Sequence, residues 1–414
     1  MVHQCVVRTV LISCGVCIFL FGILVNFEEP LNYRYMVQLS KLKLNYMFGS
    51  RSQANQNESL DVPTDCSSCE STSQRLKSLF LLEDKRPACE KLYNRIASAS
   101  NQWRSEEDVL RNIAKIHQCK WGKQKRAVEN FRWELRKCCR TLSGSFVTQR
   151  NTPVGTELFY EAEPKKKIKI TPSIFAIFPK DSPFRGRSIQ RCAVVGNAGI
   201  LHNSSCGAEI DQADFVFRCN LPPMGGNFTK DVGSKTHLVT ANPKVIIERY
   251  AELHKRRKPF ANTLVIYNDA LLLFPAFYHS KNTALSFRAH YTLQDFKSKQ
   301  RVIFFNPIYL KHLAHFWLSK GMQVQNLSTG ITVASMAMEL CSEVWIYGFW
   351  PFGKNTEGEL MSHHYFDSLL AEPDLHSTSN EFYQLLRMHS KGIVKLQMGQ
   401  CEAEETDEFT LKPG

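Results

Sequence analysis

Hydrophobic positions follow three regimes along the chain. Thr9 to Val25 is an uncharged apolar run, bounded by Arg8 and by Asn26, Glu28 and Glu29. A run of that length just spans a bilayer core, and no small-x-small cleavage site follows it, so the pattern predicts an uncleaved anchor. From Pro30 to about Leu79 the chain is rich in Ser, Asn and Gln without a sustained apolar period, which predicts a stem. From Pro87 to Arg140 the period is helical: Ser105-Glu-Glu-Asp108 has the form of a capping box, and Val109, Leu110, Ile113 and Ile116 follow on one face.

Beyond Arg191 short apolar runs take over: Cys192–Val195, Phe215–Phe217, Leu238–Thr240, Leu264–Tyr267, Val302–Phe305, Val344–Tyr347 and Ile393–Leu396. Strands alternating with helical stretches predict an α/β fold with a largely parallel sheet and a ligand crevice at the strand carboxyl ends.

Composition narrows the compartment more than the chemistry. The 414 residues and 43% hydrophobic content suffice for an anchor, a spacer and one large domain. The formal charge of +13 suits nucleic acid, anionic membrane or an acidic small substrate without choosing among them. Arg8 precedes the apolar run while Arg34, Lys41 and Lys43 follow it, so charge leaves orientation open. Asn57-Glu-Ser, Asn203-Ser-Ser, Asn227-Phe-Thr and Asn326-Leu-Ser are sequons if lumenal. Of the 14 cysteines, Cys5, Cys14 and Cys17 lie in or beside the apolar run; Cys66-x-x-Cys69 has no second CxxC and no nearby His pair. Disulfides in an oxidising lumen fit better than a metal cluster. Glu163-Pro-Lys-Lys-Lys-Ile-Lys169 reads first as a solvated face and second as a contact for acidic glycan.

Five stretches could carry chemistry. Cys192-Ala-Val-Val-Gly196-Asn197-Ala-Gly199 is a strand ending in a glycine-rich turn, suited to a nucleotide or merely a tight corner. Phe215-Val-Phe-Arg218-Cys219-Asn220 delivers an Arg and an Asn into a loop braked by Pro222 and Pro223; the amide could read a sugar or pyrimidine edge, or cap a turn. Ser328-Thr329-Gly330 leads into a helical run, Ile331–Cys341, whose N-terminus favours an anion. Gly348-Phe349-Trp350 closes another strand, and His363-His364 precedes Asp367; adjacent histidines rarely point together, which argues against metal. His376 stands five residues before Glu381, where a helix Glu381–His389 is expected, and could accept a hydroxyl proton.

In this order the blocks resemble the mammalian-type sialyltransferase family. Cys192 to about Thr236 looks like its long motif, Val324 to Trp345 like its short motif, His364–Asp367 like its third, and His376 to Glu381 like its very short motif. The Arg218-Cys-Asn-Leu-Pro-Pro223 loop, Asn151-Thr-Pro-Val-Gly155 and Cys401 are similar to the alpha-2,8 branch, and Cys119-Lys-Trp121 with Cys138-Cys139 to its sixth type. Ala198 departs from the branch's Gly-Asn-Gly-Gly by one methyl group.

The resemblance implies a GT-A-like Rossmann variant, a mostly parallel central sheet flanked by helices. It implies inverting transfer of sialic acid from CMP-sialic acid to the 8-hydroxyl of a terminal sialic acid on a glycoprotein or glycolipid, with no cofactor and no metal. The sequence contains no Asp-x-Asp, and a single-phosphate leaving group can be stabilised by a helix N-terminus without a cation. Carried over by residue, Asn197 and Asn220 bind the donor, and Ser328, Thr329 and Gly330 hold its carboxylate or phosphate side. Gly348, Phe349, Trp350, His363 and His364 complete the CMP site, and His376 is the general base. Cys192 is implied to pair with Cys341 and Cys206 with Cys401, leaving Cys219 unpaired.

The implied setting is the Golgi membrane, single-pass type II, with the catalytic domain in the lumen and no nucleic-acid partner; homodimerisation stays open. The expected divisions are 1–8 cytoplasmic tail, 9–27 anchor, 28–86 stem, 87–150 helical disulfide-clipped lead-in, 151–402 catalytic domain and 403–414 acidic tail. Two alternatives remain. One is a different linkage or polysialylation, kept open by the basic stretch Lys165–Arg191; the other is a membrane-tethered glycan-binding protein without turnover.

Overall fold

Alternating burial along the strands decides the architecture. In β3 (Ile189–Val195), Cys192 and Val194 enter one core while Ala193 and Val195 enter another. The split recurs in β4 (Phe215–Arg218), with Phe215 and Phe217 opposed to Val216, and in β6 (Leu271–Phe274), with Leu271 and Leu273 opposed to Leu272 and Phe274. Strands apolar on both faces must lie between two layers, and a parallel sheet covered by helices supplies them. With β5 (Leu238–Thr240), β7 (Arg301–Phe304), β8 (Cys341–Tyr347) and β9 (Lys395–Leu396), they form a seven-stranded parallel sheet in the order β7-β6-β5-β4-β3-β8-β9. A separate antiparallel hairpin joins β1 (Glu157–Tyr160) to β2 (Glu163–Lys169).

The structure, a computed structural model, describes residues 87–98, 105–322, 326–370 and 376–401, with side chains from residue 379 onward in the last stretch. The apolar run Thr9–Val25, the stem to residue 86, Asn57, Cys66, Cys69 and the tail 403–414 lie outside the described residues, as does the side chain of His376. No helix among the described residues is long and apolar enough to cross a membrane.

The strand order places the site. The chain steps outward from β3 to β7, then returns to the other side of β3 for β8 and β9. The winding therefore reverses between β3 and β8, where an open parallel sheet leaves a crevice at its carboxyl edge. Cys192 of β3 is bridged to Cys341, the first residue of β8, with Cα atoms 6.0 Å apart. A second bridge, Cys206–Cys401, ties the chain just past β9 to the loop after β3. Cys89 pairs with Cys119 and Cys138 with Cys139, and Cys219 is a buried free thiol.

Three expected elements are corrected. Leu264–Tyr267 is the end of the helix Arg257–Leu264 followed by the 3-10 turn Val265–Tyr267. Phe260, Ala261, Leu264 and Tyr267 are buried at helical spacing, whereas Val265 is 68% exposed. The strand there is β6, a Leu-Leu-Leu-Phe run without the β-branched residues that mark its neighbours. The helix expected to reach Cys341 spans Thr329–Leu340, and Cys341 already has extended backbone and opens β8 without a loop. The last helix is longer than expected, His376–Ser390.

The lead-in packs beneath this sheet through the end of that helix. Ser105 caps the helix Glu106–Ile116 by accepting from the Asp108 N–H at 3.2 Å, and Val109, Ile113 and Ile116 are buried. The Trp121 indole N–H donates to the His389 carbonyl at 3.1 Å, and the Gln124 N–H to the Gly392 carbonyl at 2.9 Å. His389 is 4% exposed, and its Nδ1 accepts from the Leu396 N–H at 3.0 Å.

Burial, helped by His117 and Lys395, pushes the His389 pKa down to about 3. An unfolded imidazole takes up its proton near pH 6.5. Between those values the unfolded state binds more protons, so this group makes stability fall as pH drops through that window. Denaturant titrations from pH 7 to about 4 are expected to show a declining unfolding free energy, with His389 ring resonances still neutral at pH 5. A His389 titration near pH 6.5 would contradict its burial.

Candidate functional site

Both strands of the switch point run straight into glycine. A Cβ on Gly196 would lie 2.3 Å from the Gly348 carbonyl oxygen, and Gly348 itself has φ +68°, so neither position accepts a side chain. The Gly196 N–H donates to the Tyr347 carbonyl at 2.8 Å and the Ala198 N–H to the Gly348 carbonyl at 3.1 Å, which carries the β3–β8 pairing past the strand ends. Ala198 sits at φ −60°, where its methyl group is tolerated. Ala198 also bridges to His364, and the Tyr365 N–H donates to the Asn197 carbonyl at 3.0 Å. The 362–367 loop thereby lies against the glycine turn.

Asn197 and Asn220 meet across Cys219. The Asn197 amide donates to the Cys219 carbonyl at 2.8 Å, and its Oδ1 is buried without a partner among the described residues. Asn220 and Leu221 both have left-handed backbone, φ 62° and 50°. Such conformations cost about 1–3 kcal/mol each and persist only where neighbours impose them. Here the Asn220 N–H donates to Thr240 Oγ1 at 2.9 Å and the Leu221 N–H to the Thr240 carbonyl at 3.1 Å. Arg218, expected in the same loop, is instead fully buried. It donates to the Lys235 carbonyl and Thr236 Oγ1, and burial lowers its pKa to about 10. Burial also pushes the Cys219 thiol up to about 12, so it behaves as a small apolar side chain.

Ser328 caps the helix Thr329–Leu340, accepting from the Ile331 N–H at 3.2 Å. Its own N–H donates to Glu381 Oε1 at 2.7 Å and its hydroxyl donates to Glu381 Oε2. Glu381 is 6% exposed, and burial raises its pKa against the two Ser328 bonds that lower it. The Ser328 proton is thus committed inside the protein, and the groups left facing outward are the first N–H groups of the helix, on Thr329 and Gly330. Gly330 lies under Phe349: a Cβ there would come within 2.8 Å of the ring. Trp350 is turned inward, its indole N–H donating to the Lys354 carbonyl at 2.9 Å and its ring edge-on to Phe382. His364 Nδ1 and Asp367 Oδ2 are 2.6 Å apart. Burial would raise Asp367, but hydrogen bonds from His364 outweigh it and hold the carboxyl below its ordinary value. The His363 ring is perpendicular to that of His364, centroids 4.2 Å apart. His376 opens the helix that Glu381 fastens to Ser328.

The family model of glycosyltransferase family 29 (sialyltransferase) matches residues 146–393. The chain belongs to that sialyltransferase family. Alpha-2,8-sialyltransferase 8F of Mus musculus is 48% identical over 316 residues, 76% of this chain and 79% of the relative. Its Homo sapiens counterpart is 47% identical over 334 residues, 80% of this chain and 83% of the relative. Alpha-2,8-sialyltransferase 8E of Mus musculus is 47% identical over 296 residues, 72% of each.

Beside the switch point this sialyltransferase has a cavity of about 720 Å³, floored by the carboxyl ends of β4 to β7 and reaching Asn220 and Thr329. Glu161, Tyr278, Lys281 and Asn282 line it too. Sequence reading passed over all four: Glu161 turns the β1–β2 hairpin, and the others follow β6, which was placed too early in the chain. Asn326 also lines the cavity, with its Oδ1 accepting from the Tyr278 hydroxyl. Asn203 and Asn227 are exposed. Among the described residues no group of three His, Cys, Asp or Glu side chains could hold a metal ion.

Glu381→Ala removes both acceptors and strands the half-buried Ser328 N–H. It is expected to cost about 1.5–3 kcal/mol of unfolding free energy in denaturant titration, with Glu381→Gln recovering part. An unchanged midpoint for the Ala variant would show that this contact is not holding the helix.

Proposed function

We propose that the protein is an inverting alpha-2,8-sialyltransferase that transfers sialic acid from CMP-sialic acid to the 8-hydroxyl of a terminal sialic acid on a glycoprotein or glycolipid. One observation carries the reading: the switch point brings the buried, unpartnered Asn197 Oδ1, the Thr329 and Gly330 N–H groups and the His364–Asp367 pair into one crevice beside a sugar-sized cavity. The similar proteins named as alpha-2,8-sialyltransferases support the linkage.

In this reading the helix N-terminus receives the anionic side of the donor, where free amides and the helix dipole stabilise charge that grows on the departing phosphate. Ser328 contributes by shaping that terminus, since its hydroxyl is bonded to Glu381. Asn197 offers an acceptor to the donor, and Asn220, whose Oδ1 accepts from the Thr240 hydroxyl, lines the cavity. Gly348, Phe349, His363 and His364 bound the nucleotide side, with Trp350 packed edge-on to Phe352 and Phe382. No metal is needed for a single-phosphate leaving group.

His376 is the general base. It takes the proton from the acceptor hydroxyl as that oxygen bonds to the anomeric carbon, on the face opposite the breaking bond to CMP, which leaves with the electron pair. The enzyme is held by Thr9–Val25 in the Golgi membrane with the catalytic domain in the lumen, an oxidising setting consistent with the bridges Cys192–Cys341 and Cys206–Cys401.

Incubating the full chain with CMP-sialic acid and a panel of sialylated and asialo glycans, followed by linkage analysis of products, tests this directly. Sialylated acceptors are expected to gain an alpha-2,8-linked residue. His376→Ala should cut transfer about a hundredfold or more while CMP still binds. Transfer only to asialo acceptors would refute the linkage, and full activity of His376→Ala would refute the base.

A further inference from the structure

Among the described residues, the cavity beside the switch point has one cation without an acid. Arg288 donates to the Glu252 carbonyl at 2.9 Å and lies 3.3 Å from its carboxylate; Lys244 pairs with Glu248 at 3.7 Å, and His279 with Glu163 at 3.8 Å. Lys281 lines the same cavity and has no acidic partner among the described residues. It stands in the first turn of the helix Ser280–Asp295, where the helix dipole adds to its positive charge. Next to it Asn282 is 6% exposed and lines the cavity, with its Nδ2 held by the Pro275 carbonyl at 3.3 Å.

We propose that Lys281 and Asn282 form the subsite for the carboxylate-bearing terminal residue of the acceptor glycan, Lys281 binding the carboxylate and Asn282 Oδ1 a hydroxyl or amide N–H. The proposal rests on the reading that the acceptor is sialylated. Lys281 follows β6, two strands from the Asn220 end of β4. Adjacent strands are about 4.8 Å apart, so the end of β6 lies roughly 10 Å from that of β4, and Lys281 and Asn220 line one cavity. The carboxylate and the glycerol tail flank the ring oxygen of the same sugar, so a carboxylate fixed there holds the tail inside the cavity that Asn220 and Thr329 also line. Neutral acceptors lack the anchoring charge, so Lys281 selects for sialylated ends. The donor also carries a carboxylate, and the test must separate the two.

Calorimetric titration of the full chain with CMP present, using 3′-sialyllactose and its carboxylate-reduced neutral analogue, reads the subsite without requiring turnover. The unsubstituted chain is expected to prefer sialyllactose by about tenfold or more, as loss of a charge-assisted bond implies. Lys281→Gln should bring sialyllactose down to the level of the analogue, Lys281→Arg should keep most of the preference, and CMP-sialic acid affinity should stay within about twofold in both. Undiminished sialyllactose binding by Lys281→Gln overturns the proposal, as does a loss confined to CMP-sialic acid, which would assign the lysine to the donor. If the unsubstituted chain binds sialyllactose no better than the analogue while donor transfer to sialylated glycans is intact, the subsite fails and the function stands. If that transfer is absent, the acceptor reading itself fails.

Discussion

The close backbone approach of β3 and β8 is the constraint on which the site depends. Gly196 and Gly348 allow the two chains to continue pairing beyond their strands, and the Cys192–Cys341 bridge joins the same two strands below. A disulfide closing so long a segment is worth roughly 5 kcal/mol in the chain-entropy model. Its position adds something else: β8 follows the helix Thr329–Leu340 without a loop, so fixing Cys341 against β3 also fixes that helix relative to the glycine turn. Asn197, Thr329, Gly330 and the 362–367 loop come from stretches far apart in sequence, yet all hang from this one junction.

A second link reaches the helix carrying His376. Glu381 accepts both the N–H and the hydroxyl of Ser328, a residue 53 positions away. The helix that presents free amides and the helix that begins at His376 are therefore joined by a buried carboxylate. A buried charge is tolerated only when well bonded, and here the bonding also sets geometry. Lead-in residues brace the far end of the same helix through Trp121 and His389.

Much of this was legible in the chain itself. β3, β4, β5, β7 and β8 announce themselves as apolar runs ending in glycine, asparagine or proline, and Asn197, Asn220, Thr329 and Gly330 stand where such strands and helices must expose polar groups. β6 was not legible, because three leucines and a phenylalanine carry no strand signature beside the β-branched Val265–Ile266. That misplacement hid Tyr278, Lys281 and Asn282, whose importance depends on knowing which strand they follow. Arg218 was read as delivered into the loop and Trp350 as part of the donor site, yet Arg218 is fully buried with Nε and Nη2 on Lys235 and Thr236, and the Trp350 indole N–H is spent on the Lys354 carbonyl. Nothing local in sequence distinguishes an inward from an outward polar side chain, and the Ser328–Glu381 contact is invisible until two distant helices are packed.

The central claim is that the nucleotide sits at the β3–β8 junction. Amide hydrogen exchange of the full chain with and without CMP measures it most directly. New protection is predicted at 196–199, 329–332 and 348–350, with little change along the β1–β2 hairpin. Protection confined to the β4–β7 cavity, leaving the glycine turn and the helix N-terminus unchanged, would contradict the account.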